Sequence, residues 1–380
     1  MSAEVPFLDL AAQHRALRED LLAVFSSALD RAAFVGGPMV EAFEADFAAF
    51  GGFRHVVAVS NGTDALRIAL EAIGIAAGAR VVTVPNTFIA TTEAISQAGG
   101  TFEFVDIDPA TCLMDPNRLE DHLREAFERR PKSRRPACVL PVHLYGQPCD
   151  MDAILGLAQR YELKVLEDAA QAHGAAYKGR AAGTLGHAAA FSFYPGKNLG
   201  ACGEAGAIVT GDASVAERSR MLRDHGQSER YRHRLEGTNS RIDAIQAGFL
   251  SVKLRHLAGW NEARRDIAAR YDAAFRGITD VRAVEILPHS VSSRHLYVIH
   301  AERRDALRSF LRDRGIQSGL HYPLPLHLQE CYRRPGIGAG AFPQAEWSAA
   351  RVLSLPIFPE MANAQVQAVI RGVEQFASAC

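Results

Sequence analysis

The sequence lacks an apolar run long enough to cross a bilayer, because its longest candidates are interrupted by Lys197 and Glu204; an integral membrane helix is excluded on that ground. Met1–Leu10 lacks a charged stretch followed by an apolar one, so no signal peptide is expected. Charge of one sign is also missing: 42 Lys and Arg stand against 43 Asp and Glu, a formal net charge of −1. Such a chain has no global attraction to nucleic acid or to an anionic membrane. Cysteines are few and unpatterned. Cys112, Cys138, Cys149, Cys202, Cys331 and Cys380 contain no CxxC pair. A chain of this size needs no disulfide staples, so free thiols in a reducing cytoplasm and no metal site are expected. No internal repeat is visible.

What is present is a chain of 380 residues, 48% hydrophobic, enough for a large core and more than one domain. Residues 9–30 alternate polar and apolar at helical spacing and predict one amphipathic helix. From about residue 55 to 210 the pattern is strand, turn, helix, repeated. His55–Ser60, Arg80–Val84, Phe102–Val105, Ala137–Val142 and Lys164–Glu167 read as short buried strands, and Ala189–Phe193 and Ala207–Thr210 add two more. Helical stretches near 63–74, 87–98, 116–129 and 150–161 separate the first five. Such alternation predicts an α/β fold, a mostly parallel seven-stranded sheet with helices on its faces. Residues 241–258 read as a long helix leading out of this domain. Mixed helices and strands with several prolines follow, as in a smaller C-terminal α+β domain. The expected division is a large domain over 1–250 and a small one over 251–380. The basic stretch Arg129–Pro136 reads as an exposed loop before a strand.

Three segments carry chemistry. Ser60-Asn61-Gly62-Thr63-Asp64-Ala65-Leu66 runs from a strand through a glycine turn into a helix whose Leu66, Ala69, Leu70 and Ile73 share one face. Thr63 is placed to cap that helix, whose free N–H groups and dipole suit a phosphate; an ordinary capped turn would read the same. The GxGxxG of a dinucleotide site is absent here. Asp168, in Val165-Leu166-Glu167-Asp168, reads as lying just past the C-terminal end of a strand, where open α/β sheets place ligands. A buried carboxylate there needs a cationic partner, unless it is only a helix cap. Gln171 lies one helical turn on, and Phe88, in Asn86-Thr87-Phe88-Ile89-Ala90-Thr91, follows another strand. Lys197 sits in Phe191-Ser192-Phe193-Tyr194-Pro195-Gly196-Lys197-Asn198-Leu199-Gly200, an apolar run and then a Pro-Gly turn. A lysine in such company is desolvated, lowered in pKa and more nucleophilic than a surface lysine. A lysine to form a Schiff base and an acid to pair with a pyridinium nitrogen are what pyridoxal phosphate requires.

The chain resembles the DegT/DnrJ/EryC1/StrS family of nucleotide-sugar aminotransferases, within fold type I of the pyridoxal-phosphate enzymes. The motifs run almost end to end: Phe7-Leu8-Asp9-Leu10, Val35-Gly36-Gly37-Pro38, Asn61 to Leu66, Pro141-Val142-His143-Leu144-Tyr145-Gly146, Glu167 to Gln171, His321-Tyr322-Pro323-Leu324-Pro325-Leu326-His327 and Leu353-Ser354-Leu355-Pro356. The resemblance implies that Lys197 holds pyridoxal 5'-phosphate and shuttles the proton. It implies Asp168 on the pyridinium nitrogen, Gln171 on the ring oxygen and Phe88 stacked on the ring. Gly62, Thr63 and Ser192 would bind the phosphate, with Asn239 reaching the phosphate of a neighbouring subunit. Arg241, His321 and Tyr322 would bind the donor carboxylate or the sugar. It further implies a homodimer with shared sites, acting on a nucleotide-linked keto-hexose with L-glutamate as donor. The stretch Tyr194–Gly200 resembles members that aminate a 3-keto carbon; a 4-keto substrate is the alternative. Two positions depart from the family's habit: Gly203-Glu204-Ala205-Gly206 stands where Gly-Asp-Gly-Gly is common, and His187 where an acid is common.

Other functions fit less well. Sugar dehydratases of the family replace the lysine with histidine, whereas Lys197 is present. A non-enzymatic regulator on the same fold would be expected to lose Asp168 or Lys197, and both are kept. Arg230, Arg232, His233 and Arg234 form a basic run, yet the chain offers no wider footprint for nucleic acid, and an anionic substrate is the better partner.

Overall fold

The computed structural model describes residues 4–333 and 336–378. Five cysteines are unpaired, and Cys380 lies outside the described residues. Residues 9–30 form two helices rather than the single one expected, α1 (Leu10–Ala16) and α2 (Arg18–Arg31). Leu17 breaks them with a non-helical backbone and is itself buried, so the chain bends where a core contact requires it. Asp9 caps α1 by accepting from the Ala12 N–H at 2.9 Å. A further helix, α3 (Pro38–Gly51), was not foreseen; it opens on proline, closes on left-handed Gly52 and buries Phe43 and Phe47.

Seven strands form the main sheet: β1 (His55–Val59), β2 (Arg80–Thr83), β3 (Thr101–Phe104), β4 (Pro136–Val139), β5 (Lys164–Asp168), β6 (Ala188–Ser192) and β7 (Gly206–Thr210). Their order is β1-β7-β6-β5-β4-β2-β3. Only β7 runs against its neighbours; the other pairings are parallel. Side chains alternate across the sheet. Val57, Val59, Ala188 and Ala190 face one core, while Val56, Ala58, Ala189 and Phe191 face the other. The first face is covered by α4 (Gly62–Ala72), α5 (Ala90–Gln97), α6 (Pro116–Arg129) and α7 (Met151–Arg160), and α8 (Ala213–Arg223) packs beside α4. The second face packs on α3 and on the first half of α9 (Ala244–Phe275).

The helix α9 is longer than expected because its apolar positions continue past residue 258. Leu250, Leu254 and Leu257 lie in the core of the main sheet, and Ile267, Tyr271 and Phe275 in a third core. Residue 250, the expected end of the large domain, therefore lies inside a helix that both cores share. The third core backs a small antiparallel sheet of β8 (Val281–Ala283), β9 (Tyr297–Ala301) and β10 (Val352–Leu355). Helices α10 (Arg304–Arg312) and α12 (Asn363–Ser378) cover it, and α11 (Pro343–Arg351) packs along β9. The N-terminal segment crosses to this unit: Val5 is fully buried in its core and exchanges backbone hydrogen bonds with Gly315 and Gln317. Among the described residues no helix is long and apolar enough to cross a membrane.

Candidate active site

The parallel strands point their C-terminal ends at a cavity of about 930 Å³, the location a sheet of this kind gives a ligand. Its walls come from the main sheet, from the N-terminal residues Phe7 and Leu8, and from His321, Tyr322 and Ile357. Gly62, Thr63, Phe88, Asp168, Gln171, Ser192, Lys197, His321 and Tyr322 all line it. Asn239 and Arg241 are not among its lining residues.

The strand β1 turns into α4 at Asn61, whose side chain caps the helix by accepting from the Asp64 N–H at 2.8 Å. This corrects the expectation that Thr63 is the cap: Thr63 sits inside the first turn, so the N–H groups of Gly62 and Thr63 have no partner within the helix. A side chain at residue 62 would put its Cβ 2.5 Å from the Cβ of Ser192. Glycine is thus what lets β6 approach the helix end, bringing a hydroxyl beside two free N–H groups. The Ser192 hydroxyl accepts from the Tyr194 N–H at 3.3 Å, and its own proton remains available.

Asp168 is the last residue of β5, not a residue past its end, and turns follow rather than a helix. It is 5% exposed. One carboxylate oxygen accepts from Thr91 Oγ1 at 2.8 Å and the other from the Ala170 N–H at 3.2 Å. Burial raises its pKa, against the pull of those two bonds and of the charge on Lys197. Lys197 sits in the turn after β6, closed by its N–H bond to Tyr194 O at 2.8 Å. Burial lowers its pKa to about 8, with Asp168 pulling the other way. The two groups sense each other across the cavity, and among the described residues no ion pair joins them. Gln171 accepts the Tyr145 N–H at 2.7 Å through Oε1, and its amide nitrogen is 3.4 Å from the Tyr322 hydroxyl. Phe88 is 56% exposed and faces Tyr322, with ring centroids 5.9 Å apart. His321 shares a hydrogen bond with Ser354 Oγ at 2.9 Å; burial and then the Lys197 charge lower its pKa to about 4.

The remaining two expected residues lie elsewhere. Asn239 is exposed, bridged to Asp224, and Arg241 pairs with the Asp224 carboxylate on a separate surface depression. The family departures are quiet. Ala205 is fully buried without a positive φ, so it needs no glycine's freedom. His187 accepts the Val165 N–H through Nδ1 at 3.0 Å, tying the strand's start. Sequence reasoning missed Thr91, the hydroxyl that holds Asp168, although it ends the segment quoted for Phe88. It also missed Arg264, Phe7 and Leu8 as cavity residues. Arg264 gave no signal, since an arginine within a helical run reads as its solvated face.

The pattern of the DegT/DnrJ/EryC1/StrS aminotransferase family matches residues 15–374. The chain belongs to that family. It is 43% identical over 373 residues, 98% of itself and 96% of the relative, to dTDP-3-amino-3,4,6-trideoxy-alpha-D-glucose transaminase of Streptomyces venezuelae. It is 39% identical over 95% of both chains to UDP-N-acetyl-3-dehydro-alpha-D-glucosamine 3-aminotransferase of Acidithiobacillus ferrooxidans. The solved structure of S. venezuelae DesV in complex with a ketimine intermediate superposes with a TM-score of 0.94, at 43% identity and 99% coverage of both chains. Membership of the DegT/DnrJ/EryC1/StrS family makes this chain an aminotransferase of fold type I, and the sheet order and cavity described above are the frame on which that activity is built.

Proposed function

We propose that this chain transfers an amino group from L-glutamate to the 3-keto carbon of a nucleotide-linked hexose, as a homodimer. The two relatives described above are named for amination of a nucleotide-linked sugar, and pyridoxal 5'-phosphate is the cofactor. The observation that carries the reading is that Lys197 and Asp168 line one cavity together with Gly62, Thr63 and Ser192.

The residues present fit the cofactor. Asp168 is buried, lacks a bonded cation and has lone pairs beyond its two hydrogen bonds, which is what a protonated ring nitrogen calls for. The close approach of Gly62 and Ser192 leaves a seat of N–H and O–H donors at a helix N-terminus, which suits a phosphate. When bound, the cofactor supplies a carbonyl that takes the amine and a ring that draws electrons from the carbon being deprotonated.

The chain's own residues do the rest. With a pKa near 8, Lys197 keeps a sizeable neutral fraction at neutral pH, so its Nζ can attach the cofactor and afterwards take the proton from the donor's α-carbon. The same Nζ returns a proton at the other carbon. Asp168 holds the ring nitrogen protonated, and Thr91 holds Asp168 in place. The Gln171 amide would serve the ring oxygen, and Phe88 would cover one ring face. Phe7, Leu8 and Tyr322 wall the cavity with apolar surface, which excludes water from the transfer. His321 and Tyr322 bind the sugar. Asn239, exposed on its own chain, would hold the phosphate of the partner's cofactor.

Two things support the 3-keto position. Both relatives reported above carry a 3-amino or 3-dehydro sugar in their names. The lysine turn is also small: Leu8 would lie 3.6 Å from a Cβ on Gly196, so the sugar meets a compact turn beside Lys197. The ketone carbon must come within roughly 3–3.5 Å of the amine, so a one-carbon change demands another pose. The test is to load the protein with amine from L-glutamate, followed by the cofactor's absorption. A 3-keto and a 4-keto sugar nucleotide are then added separately. Faster unloading with the 4-keto compound, across several nucleotides, would sink the 3-keto reading. The shared site is tested by mixing an inactive Lys197→Ala chain with an inactive Asn239→Ala/Arg241→Ala chain. Activity returns in hybrid dimers; no recovery after verified exchange places Asn239 in its own chain's site.

A further inference from the structure

Arg264 lies on α9, is 4% exposed and lines the cavity. Its Nη1 donates to the carbonyl oxygens of Ile357 at 2.6 Å and His295 at 3.4 Å. Its Nε is buried with no hydrogen-bond partner. Among the described residues no carboxylate pairs with it. Arg67 offers an internal standard. It is 8% exposed, yet it pairs with Asp64 and Glu71 and donates to Thr238 and Ser240. Buried charges are paired as a rule, so the unpaired guanidinium of Arg264 calls for an anion from outside the chain.

Its surroundings reinforce the point. His295 and His321 line the same cavity, and Lys197 bears on both, so the groups around Arg264 are basic. Among the described residues the acid whose charge reaches Arg264 is Glu360, which accepts from Gln13 at 3.4 Å and makes no bond to the arginine. Burial lowers the pKa of Arg264 to about 10, leaving it cationic at neutral pH. Its place in the cavity is also defined. His295, whose carbonyl it holds, shares a hydrogen bond at 3.0 Å with the side chain of Asn198, the residue after Lys197. His295 thus sits between Arg264 and the turn that carries Lys197, and feels the charge of both.

We propose that Arg264 anchors the α-carboxylate of the amino donor. This rests on reading the cavity as the site of amino transfer. An α-carboxylate is bonded to the carbon that loses its proton, so it must bind beside Lys197. The diphosphate of a sugar nucleotide is held away from that carbon by the sugar ring. Arg241, the arginine the sequence suggested for a carboxylate, is outside the cavity and already paired with Asp224.

The experiment compares wild type, Arg264→Lys and Arg264→Met, each loaded with cofactor. The Arg264→Met protein raises the L-glutamate concentration for half-maximal amine loading about 10- to 100-fold, the usual loss of a charged hydrogen-bonded contact. Arg264→Lys loses less. Added guanidinium ion restores part of the loss in Arg264→Met. Binding of α-methyl-L-glutamate, which has no α-proton to give up, weakens by a similar factor in calorimetry, without turnover. Unloading by the keto-sugar falls far less than loading by glutamate. Unchanged glutamate affinity in Arg264→Met, or equal losses in both half-reactions with a lowered melting temperature and no guanidinium rescue, would overturn the proposal and leave Arg264 as a staple for Ile357 and His295. Wild-type protein that loads from L-alanine or L-aspartate but not L-glutamate would refute the donor reading alone, because the α-carboxylate is common to all three.

Discussion

Glu167 and Asp168 are neighbours on one strand, both carboxylates and both buried, and they differ in almost everything else. Glu167 points to the side where the Gly183–Gly186 turn closes. It is fully buried and accepts from Gly183, Leu185 and Gly186 N–H groups and from His143, at 2.7–2.9 Å. The His143 tautomer follows: the Cys149 N–H donates to Nδ1 at 3.2 Å, so the proton lies on Nε2 toward Glu167. Asp168, one residue on and therefore on the other face, has two donors and looks into the cavity. Burial alone does not mark a functional acid. Burial with unused acceptor capacity and no cation in contact does.

The largest expected effect concerns the group opposite Asp168. Lys197→Ala removes the amine that holds the cofactor and moves the proton, so turnover is lost while circular dichroism stays native. Normal-rate transamination by that protein would remove Lys197 from its role. Asp168→Asn comes next. It keeps the attachment at Lys197 but no longer fixes the ring's positive charge, and turnover falls by on the order of 3 kcal/mol or more in barrier height, at least a hundredfold. A change of less than tenfold would mean that Asp168 is no more than the partner of Thr91.

Stability should reverse the ranking of the two acids. Glu167→Gln sets an amide NH2 against N–H donors in a closed turn and costs about 3 kcal/mol, read by denaturant unfolding. Asp168→Asn in the cofactor-free protein replaces a buried charge whose pKa burial has raised, so that variant is at least as stable as wild type. Equal destabilisation by both would erase the distinction drawn here.

The same distinction explains what could be read beforehand. The seven strands were legible because β-branched and small apolar runs recur between glycine turns, and β4 alone stops well short, at Val139 where Val142 was expected. Lys197, Asp168 and the Gly62 turn were legible because each stands at the end of such a run. The break at Leu17 was not, because the 3.6-residue periodicity passes through it unchanged and only the packing of Leu17 decides. Helix α3 was missed for the opposite reason: Phe43, Phe47 and several alanines make it apolar enough to blur its period. Three of the four donors on Glu167 come from a turn sixteen to nineteen residues further along and the fourth from His143, 24 residues earlier, and Arg264 reaches the cavity from a helix nearly seventy residues past the lysine. Pairings of that kind exist only once the sheet has assembled.

The smallest expected effect is a pH dependence in the cofactor-free protein. Lys197 has a folded pKa of about 8 against 10.5 when solvated. A lysine whose pKa falls on folding binds fewer protons in the native state between those two values, so stability rises with pH across that window. Below pH 8 the folded state carries the full cost of a buried ammonium. The shift corresponds to roughly 3 kcal/mol at about 1.4 per unit, and water reaching the open cavity screens it to about 2. Lys197→Met removes the charge and keeps an apolar stem of similar length. At pH 7 that variant should therefore unfold at higher denaturant than wild type, and by pH 10.5 the gap should close. Asp168 works against the lowering, since its charge favours the ammonium. A gap that is constant from pH 7 to 10.5 would mean that the lysine is solvated in the folded protein, and Lys197 would then lose the desolvation that separates it from an ordinary surface lysine.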